Sequence, residues 1–448
     1  MFRCLKMILL VTFLLTALTA PAYADSSSQY KGYPVVKVSV DGKELKGDVP
    51  AIIMDGRTLV PLRSIGEALG MDIKWDDTAK TVYIQSTPGG GITTPAQAAA
   101  KETVNIGLLA PLSGDVSSFG QSLEKAFILA VEEKSKIGDY TVTAFTQDDR
   151  NDPTEAVSMA TKLIKEDKVN ALIGSLTSRC SIPLATLAGQ EKIPMITPTA
   201  TSPKVTEGSI DGYAFRACFE DPYQGKLAAK FSLDNLNKKT AAVLYDKHND
   251  YSLMLAENFK ESFTTGGGTI TGYIGYEGND TDFGPVLTDI AEENPDVLYL
   301  PDYYIKVGLI GKQAREKGVK AVFVGSDGWD SPNLDYAAME GGYFTNHYSN
   351  DDPRPEVKAW VEKYRAKYGS DPDIIAALGY DATGLLLKAI ETANSNDPVK
   401  IREALKSIGN YPGVTGGISF DKDGNPIKSG VIMQVKSGQL QYVTTINP

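Results

Sequence analysis

Histidine and cysteine are scarce in this chain. Its 448 residues include 2 histidines, His248 and His347, and 3 cysteines. Zinc and copper sites are built from clusters of these residue types, so we expect no such metal site. Histidine is also the commonest general base, and the Gly-x-Ser-x-Gly sequence of a nucleophile elbow does not occur. The composition therefore predicts a chain that is not an enzyme and needs no cofactor.

Positive charge is also in the minority. The chain has 45 lysines and arginines against 56 aspartates and glutamates, a formal net charge of -11. Nucleic acids and anionic membrane surfaces repel such a protein. We therefore expect neither as a partner.

A long apolar run occurs only at the N-terminus. Arg3 and Lys6 precede the run over 7–20, and Ala22-Tyr23-Ala24 is a small-x-small cleavage site. We predict a signal peptide over 1–24, cleaved after Ala24, and an exported, extracytoplasmic protein. A membrane anchor is the alternative, which the shortness of the run disfavours.

The few cysteines allow two arrangements after export. Cys4 lies before the apolar run, too early for lipid attachment, and leaves with the signal peptide. Cys180 and Cys218 remain, and an oxidising compartment would allow them to form a disulfide. Two separate buried thiols are the alternative.

Residues 33–86 have the pattern of a small α+β module. Valines alternate at 36, 38 and 40 before the turn residues Asp41-Gly42, and residues 64–69 predict a short helix. A last hairpin is predicted to pair 73–75 with 81–84. The glycine- and proline-containing stretch 87–102 predicts a flexible linker.

From residue 103 onward, predicted strands alternate with helices, which indicates parallel sheets covered by helices on both faces. The alternation restarts after Asp221, so we predict two doubly wound α/β lobes. Helices predicted over 355–368, 374–393 and 398–408 need a sheet to cover, so we expect the chain to cross back to the first lobe. The predicted strands are 104–109, 140–145, 171–174, 194–196, 241–245, 269–274, 297–300, 321–324, 418–420, 431–435 and 440–443.

Hydroxyl groups follow two strands of the first lobe. Ser175-Leu176-Thr177-Ser178 and Thr197-Pro198-Thr199-Ala200-Thr201 each come directly after a strand. Ligands of parallel sheets bind at this edge, where backbone N–H groups and hydroxyls suit a carboxylate. Ordinary helix capping by Ser and Thr is the alternative.

The second lobe offers an acid and aromatic rings at the corresponding edge. Tyr251, Tyr303 and Asp327 all follow predicted strands. A carboxylate with nearby tyrosine faces suits a ligand ammonium group. The alternative for Asp327 is a solvent-exposed acidic residue of a loop with no role in binding. Donors on one lobe and an acid on the other predict a clamp for a small zwitterion, most simply an amino acid, that closes and excludes water.

The module over 33–86 resembles the copper amine oxidase N-terminal-like domain of secreted bacterial proteins. Val40-Asp41-Gly42, the stretch 57–63 and Trp75-Asp76 with Val82 carry the resemblance. The Asn-Tyr-Asp/Glu sequence of a quinone cofactor and the copper-binding histidines are missing. We interpret the module as an accessory domain that binds a cell-surface component.

Residues 103–448 resemble the type I periplasmic solute-binding proteins, and among them the leucine/isoleucine/valine-binding group of ABC importers. The resemblance is carried by 106–114 (Ile-Gly-Leu-Leu-Ala-Pro-Leu-Ser-Gly), Asp148-Asp149, Phe215-Arg216, Gly325-Ser326-Asp327-Gly328 and Tyr380-Asp381-Ala382. It implies lobe 1 over about 103–219 and 350–424 and lobe 2 over about 220–349 and 425–448. The three hinge crossovers would lie near 218–221, 348–351 and 421–427.

The same resemblance implies roles for the site residues. The ligand carboxylate would be held by Ser178 and by Thr199-Ala200-Thr201, with Thr199 acting through its backbone. The ligand ammonium would be held by Tyr251, Tyr303 and Asp327. Phe119 would line the side-chain pocket. Asp327 is Glu in the branched-chain binders, and Arg179, Ile375 and Trp329 also depart from them, so the ligand side chain stays open. Thr177 occupies one position of the family's disulfide, so a Cys180–Cys218 bridge would be particular to this chain.

The implied function is that of an extracytoplasmic receptor of an ABC importer. It would capture an amino acid by hinge closure and deliver it to a membrane permease. An amide- or urea-binding protein of the same fold, or an amino-acid sensor not coupled to transport, is the alternative.

Overall fold

The computed structural model describes residues 29–86, except 41, 42, 46, 48, 55, 69, 70, 78 and 79, and residues 102–446. The predicted signal peptide lies outside the described residues, and so does the predicted linker apart from residue 102. The chain divides into two compact units, Met1–Ala100 and Lys101–Pro448. In the described parts of both units, no helix combines the length and the apolar character needed to cross a membrane.

The described residues of the first unit form short antiparallel strands and one helix. The hairpin predicted near its end is present and pairs Trp75 with Val82, whereas the helix begins at Leu62 rather than at 64. Four strands form a sheet in the order β1-β2-β5-β6, and β3–β4 and β7–β8 form separate hairpins. The elements are β1 (Gln29–Tyr30), β2 (Tyr33–Val36), β3 (Ser39–Val40), β4 (Lys43–Glu44), β5 (Ala51–Met54), β6 (Arg57–Leu59), α1 (Leu62–Ala68), β7 (Met71–Asp76) and β8 (Thr81–Ser86).

The first lobe of the second unit is built on a six-stranded sheet. Its elements are β9 (Thr103–Ala110), α2 (Ser117–Glu133), β10 (Lys136–Ile137), β11 (Tyr140–Asp148), α3 (Pro153–Lys165), β12 (Ala171–Ile173), α4 (Ser178–Glu191), β13 (Met195–Thr197), α5 (Lys204–Glu207) and β14 (Ala214–Arg216). The strand order is β10-β11-β9-β12-β13-β14, and all pairs except β10–β11 are parallel. The central strand β9 is almost continuously apolar because helices cover both faces of the sheet.

The second lobe is built on a seven-stranded sheet of order β16-β15-β17-β18-β19-β22-β23. The sequence patterns did not predict β19, a short strand whose last two residues, Thr345 and Asn346, are polar but fully buried. The elements before the chain leaves this lobe are α6 (Asp221–Lys230), β15 (Thr240–Asp246), α7 (Asp250–Thr265), β16 (Thr269–Tyr276), α8 (Gly284–Glu293), β17 (Val297–Leu300), α9 (Tyr304–Glu316), β18 (Val322–Gly325) and β19 (Tyr343–Asn346).

The remaining elements confirm that the chain returns to the first lobe and then leaves it again. They are α10 (Pro355–Tyr368), α11 (Ile374–Ala393), α12 (Pro398–Ser407), β20 (Tyr411–Gly413), β21 (Gly416–Ile418), β22 (Gly430–Lys436) and β23 (Gln439–Ile446). Helix α11 packs on α2, β12 and β13, whereas β22 pairs with β19 of the second sheet. The chain therefore passes between the sheets three times, after β14, after β19 and after β21, which is the three-strand hinge expected of this fold.

Candidate functional site

A small cavity lies where the carboxyl ends of strands from the two sheets face each other. First-lobe residues come from α2, from the segments after β12 and β13, and from α11, and second-lobe residues follow β15, β17 and β18. The lining residues are Phe119, Leu176, Thr177, Ser178, Thr199, Tyr251, Tyr303, Asp327, Gly328 and Ile375. The structure thus brings together six of the eight residues that the sequence suggested for ligand binding.

The first-lobe wall presents the start of α4. No side chain among the described residues caps this helix, since the Thr177 hydroxyl instead donates to Asn151 Oδ1 at 2.7 Å. The capping alternative therefore does not account for these hydroxyls. Ser178 Oγ accepts the Ser202 N–H at 3.2 Å, and Thr199 Oγ1 donates to the Leu176 carbonyl at 2.7 Å. The wall combines hydroxyls with the positive end of a helix dipole, which suits a carboxylate.

Ala200 and Thr201 are buried but do not line the cavity. The Ala200 carbonyl is occupied, because it accepts the Arg216 Nη1–H at 2.9 Å. Thr201 Oγ1 makes no hydrogen bond of good geometry to any described residue. Burial raises the pKa of the neighbouring Asp221 carboxyl, and the nearby Thr201 hydroxyl partly opposes that rise. Of the two residues, Thr201 is the one that keeps a free polar atom.

The second-lobe wall is organised around Asp327. Its Oδ1 accepts the Tyr251 hydroxyl at 2.6 Å, and that hydroxyl oxygen accepts the Gly328 N–H at 2.9 Å. The rings of Tyr251 and Tyr303 stack with their centroids 5.1 Å apart. Burial raises the pKa of both tyrosines well above its usual value, so they stay neutral donors at physiological pH.

Asp327 keeps its charge although it is 8% exposed. Burial alone would raise the pKa of this carboxyl, but hydrogen bonds and charge from His347 and a hydrogen bond from Tyr251 hold it below its usual value. His347 Nε2 lies 3.0 Å from Asp327 Oδ2. The sequence suggested no role for His347. Two features of the sequence could have pointed to His347. Histidine is rare in this chain, and His347 directly follows β19, a strand that the sequence patterns did not predict.

Part of the cavity lining is apolar. Phe119, Leu176 and Ile375 contribute apolar side chains, and the Phe119 ring contacts Tyr303 edge to face with centroids 6.1 Å apart. Trp329, which departs from the branched-chain binders, does not line the cavity, because its side chain is fully buried and its indole N–H donates to the Leu300 carbonyl at 3.0 Å. Arg179 is exposed and does not line the cavity either.

Polar contacts also connect the two lobes around the cavity. Ser118 Oγ lies 2.9 Å from Ser331 Oγ, and the Tyr304 hydroxyl donates to the Asp115 carbonyl at 3.0 Å. Lys204 of α5 forms an ion pair of 2.5 Å with Asp250 at the start of α7. The two lobes are therefore in direct contact beside the cavity.

Metal and disulfide chemistry are not features of the described site. Among the described residues, no cluster of His, Cys, Asp and Glu is able to hold a metal ion. The Cys180–Cys218 disulfide that the sequence left open is not formed, because the two thiols have different neighbours. Cys180 Sγ contacts Asn151 Oδ1 at 3.8 Å, whereas Cys218 Sγ contacts the Ala200 carbonyl at 3.4 Å.

Comparison with known proteins agrees with this architecture. The chain is 31% identical to a Leu/Ile/Val-binding protein homolog 2 of Brucella abortus over 335 residues, 74% of this chain and 89% of the relative. A leucine binding protein LivK from Thermotoga maritima is 38% identical with a TM-score of 0.74, covering 77% of this chain and 99% of that one. LivJ of Streptococcus pneumoniae, solved with isoleucine, is 29% identical with a TM-score of 0.73, covering 78% and 100%.

Family models match both units of the chain. Residues 36–97 match the copper amine oxidase N-terminal domain. Residues 103–439 match the family described as periplasmic binding protein. Because this match spans most of the chain and the fold agrees, the chain belongs to the periplasmic binding protein family.

Proposed function

We propose that this protein captures a free α-amino acid with an apolar side chain outside the cytoplasm and delivers it to the permease of an ABC importer. The observation that carries the proposal is the cavity between the two sheets, with hydroxyls and a helix N-terminus on one lobe and the ionised Asp327 on the other. The similarity to leucine- and isoleucine-binding importer proteins supports it.

Each wall would hold one end of the ligand. The Ser178 hydroxyl and the free N–H groups of the first turn of α4 would bind the carboxylate. Asp327 would accept the ammonium, with the stacked Tyr251 and Tyr303 rings beside it. Because the two groups lie on different lobes, the ligand itself would link them and favour the closed form.

The apolar part of the cavity lining would select the side chain. Phe119, Leu176 and Ile375 offer no hydrogen-bond partner, so a charged or amide side chain would be buried there without compensation, which costs several kcal/mol. An aliphatic side chain would gain roughly 25 cal/mol per Å² of apolar surface that it buries. We therefore propose leucine, isoleucine and valine as the best ligands.

The proposal includes the absence of catalysis. Ser178 is the lining residue best placed to act as a nucleophile, and its Oγ accepts a backbone N–H. The lining residues include no histidine or lysine, and the only lining carboxylate, Asp327, belongs to the opposite lobe and already accepts hydrogen bonds from Tyr251 and His347. A ligand would leave such a cavity unchanged.

We also propose that cleavage after Ala24 releases the mature protein and that the first unit binds a component of the cell surface. The exposed side chains of Trp75, Leu59 and Leu62, 52%, 42% and 44% exposed, support such a contact. Sedimentation of the protein with cell-envelope fragments tests it. Trp75→Ala should reduce co-sedimentation, and equal sedimentation of both proteins would contradict the proposal.

Isothermal titration of the purified protein against amino acids tests the ligand. We expect micromolar affinity for aliphatic amino acids, about -8 kcal/mol, and weaker or no binding of glutamate, lysine, urea and acetamide. Asp327→Asn should weaken binding by about 2–5 kcal/mol, because the ammonium loses its charged partner. Asp289→Asn, an exposed acid on α8, is the matched control.

The outcomes separate the alternatives. Absence of heat from every amino acid would overturn the ligand proposal, and preference for urea or acetamide would favour the amide-binding alternative. Uptake of a labelled ligand by cells with and without this protein decides between transport and sensing. Equal uptake by both would overturn the transport proposal.

A further inference from the structure

His347 lies directly behind Asp327 and is fully buried. It follows β19, and its backbone N–H donates to Asn346 Oδ1 at 2.9 Å. Its ring stacks on Phe219 with the centroids 3.5 Å apart. The ring therefore has one fixed position, with Nε2 at 3.0 Å from Asp327 Oδ2.

With this contact, each carboxylate oxygen of Asp327 accepts a hydrogen bond from the second lobe. Tyr251 occupies Oδ1 and His347 occupies Oδ2, so the two donors together fix the plane of the carboxylate. His347 Nδ1 has no hydrogen-bond partner among the described residues. A neutral ring that donates from Nε2 therefore satisfies the geometry, and a second proton on Nδ1 would face no acceptor.

Building on the proposed function, we propose that His347 is a positioning residue for Asp327 and that a proton on His347 competes with the ligand ammonium for the charge of that carboxylate. Neutral His347 leaves Asp327 with a full negative charge for the ligand. Doubly protonated His347 neutralises that charge, so binding of an amino acid releases a proton from the protonated form.

The surroundings set the direction of the titration. Burial and the charge of Lys428 lower the pKa of His347, and Asp327 opposes them, with a net value below the usual one. Asp221 acts on Asp327, and Asp330 accepts the side-chain N–H of Asn346. His347 is thus neutral at neutral pH, and the protonated form accumulates only under acidic conditions.

The first arm of the test needs no ligand. Imidazole NMR signals are followed against pH in the wild type and in His248→Gln, which leaves His347 as the only histidine of the chain. His248 is exposed and pairs with Glu277, away from the cavity. Asp327→Asn should lower the pKa of His347, because it removes the nearby anion. An unchanged pKa would overturn the coupling.

The second arm measures leucine affinity by calorimetry between about pH 5 and pH 8. Wild-type affinity should fall by up to about tenfold per pH unit below the pKa of His347, with proton release on binding. His347→Gln keeps a donor to Asp327 but cannot gain a proton, so the ratio of its affinities at pH 8 and pH 5 should be smaller than that of the wild type, whatever its affinity at pH 8. His347→Ala should bind roughly tenfold or more weakly at every pH, because it removes the donor.

The outcomes separate the two proposals. If the wild type binds no amino acid at any pH, the proposed function fails, and the first arm still decides whether His347 and Asp327 are coupled. If the wild type binds leucine and His347→Gln shows the same pH profile, the competition proposed for His347 is wrong. Asp302, Asp330 and Asp373 also titrate in this range, which is why the difference between the two profiles is the deciding quantity.

Discussion

Replacing Tyr251 by Phe removes one hydroxyl from the cavity wall. That hydroxyl donates to Asp327 Oδ1 at 2.6 Å and accepts the Gly328 N–H at 2.9 Å. The phenyl ring of the variant preserves the stacking on Tyr303, which depends on the ring faces. The substitution therefore removes polar contacts and leaves the apolar packing in place.

The expected loss has two parts. A hydrogen bond to a charged acceptor contributes about 1.5–3 kcal/mol, so the affinity for an aliphatic amino acid should fall roughly 10- to 150-fold. The Gly328 N–H is left buried without a partner, which should lower the free energy of unfolding by about 1–3 kcal/mol. Loss of the donor should also raise the pKa of Asp327 and shift the acid limit of binding upward.

Calorimetry gives the affinity, and urea denaturation followed by circular dichroism gives the free energy of unfolding. Tyr442→Phe is the matched control, since that tyrosine is 44% exposed and its hydroxyl contacts Thr445 Oγ1. The control should change neither quantity by more than about 0.5 kcal/mol. A Tyr251→Phe protein that is folded and binds with unchanged affinity would refute the role of the hydroxyl in holding Asp327.

Further predictions concern the cavity wall and one buried acid. Gly328→Ala places a Cβ 2.9 Å from both the Asp302 carbonyl oxygen and the Tyr251 hydroxyl, so calorimetry should show at least a roughly tenfold loss of affinity; unchanged binding would contradict this. Ile375→Trp fills the apolar part of the cavity, and we expect leucine to lose more affinity than alanine, whereas an equal loss for both would argue against Ile375 as the selecting residue. Burial raises the pKa of Asp330 from 3.8 to about 7. The unfolded chain therefore releases this proton at a lower pH than the folded chain does. The free energy of unfolding should fall as the pH rises from 3.8 to about 7. Asp330→Asn should therefore be more stable than the wild type at about pH 8 and similar at about pH 4 in urea denaturation, and the opposite order would contradict the assignment.

Local patterns were sufficient to find much of the cavity. Ser178, Tyr251, Tyr303 and Asp327 each follow a strand whose apolar run is visible in the sequence. In a parallel sheet the carboxyl ends of the strands share one edge, so the order of strands and loops already places these residues near each other. The fold class and the return of α11 to the first lobe followed from the same alternation.

Side-chain direction was beyond these patterns. Trp329 lies two residues after Asp327, yet it points into the core and donates to the Leu300 carbonyl, a partner on another strand. His347 was missed because β19 ends in polar residues, Thr345 and Asn346, whose buried side chains form hydrogen bonds with other segments. Such contacts depend on residues distant in sequence, and periodicity carries no information about them.

The three passages between the sheets also set an order of events during synthesis. The sheet of the first lobe is complete at β14, but the helix that covers one of its faces, α11, begins only at Ile374. Until α11 emerges from the ribosome, the apolar face that it covers remains in water and open to wrong partners. A chain truncated after β19 lacks α11 and would therefore expose this face permanently, and a first lobe produced alone needs residues from before β15 and from after β19.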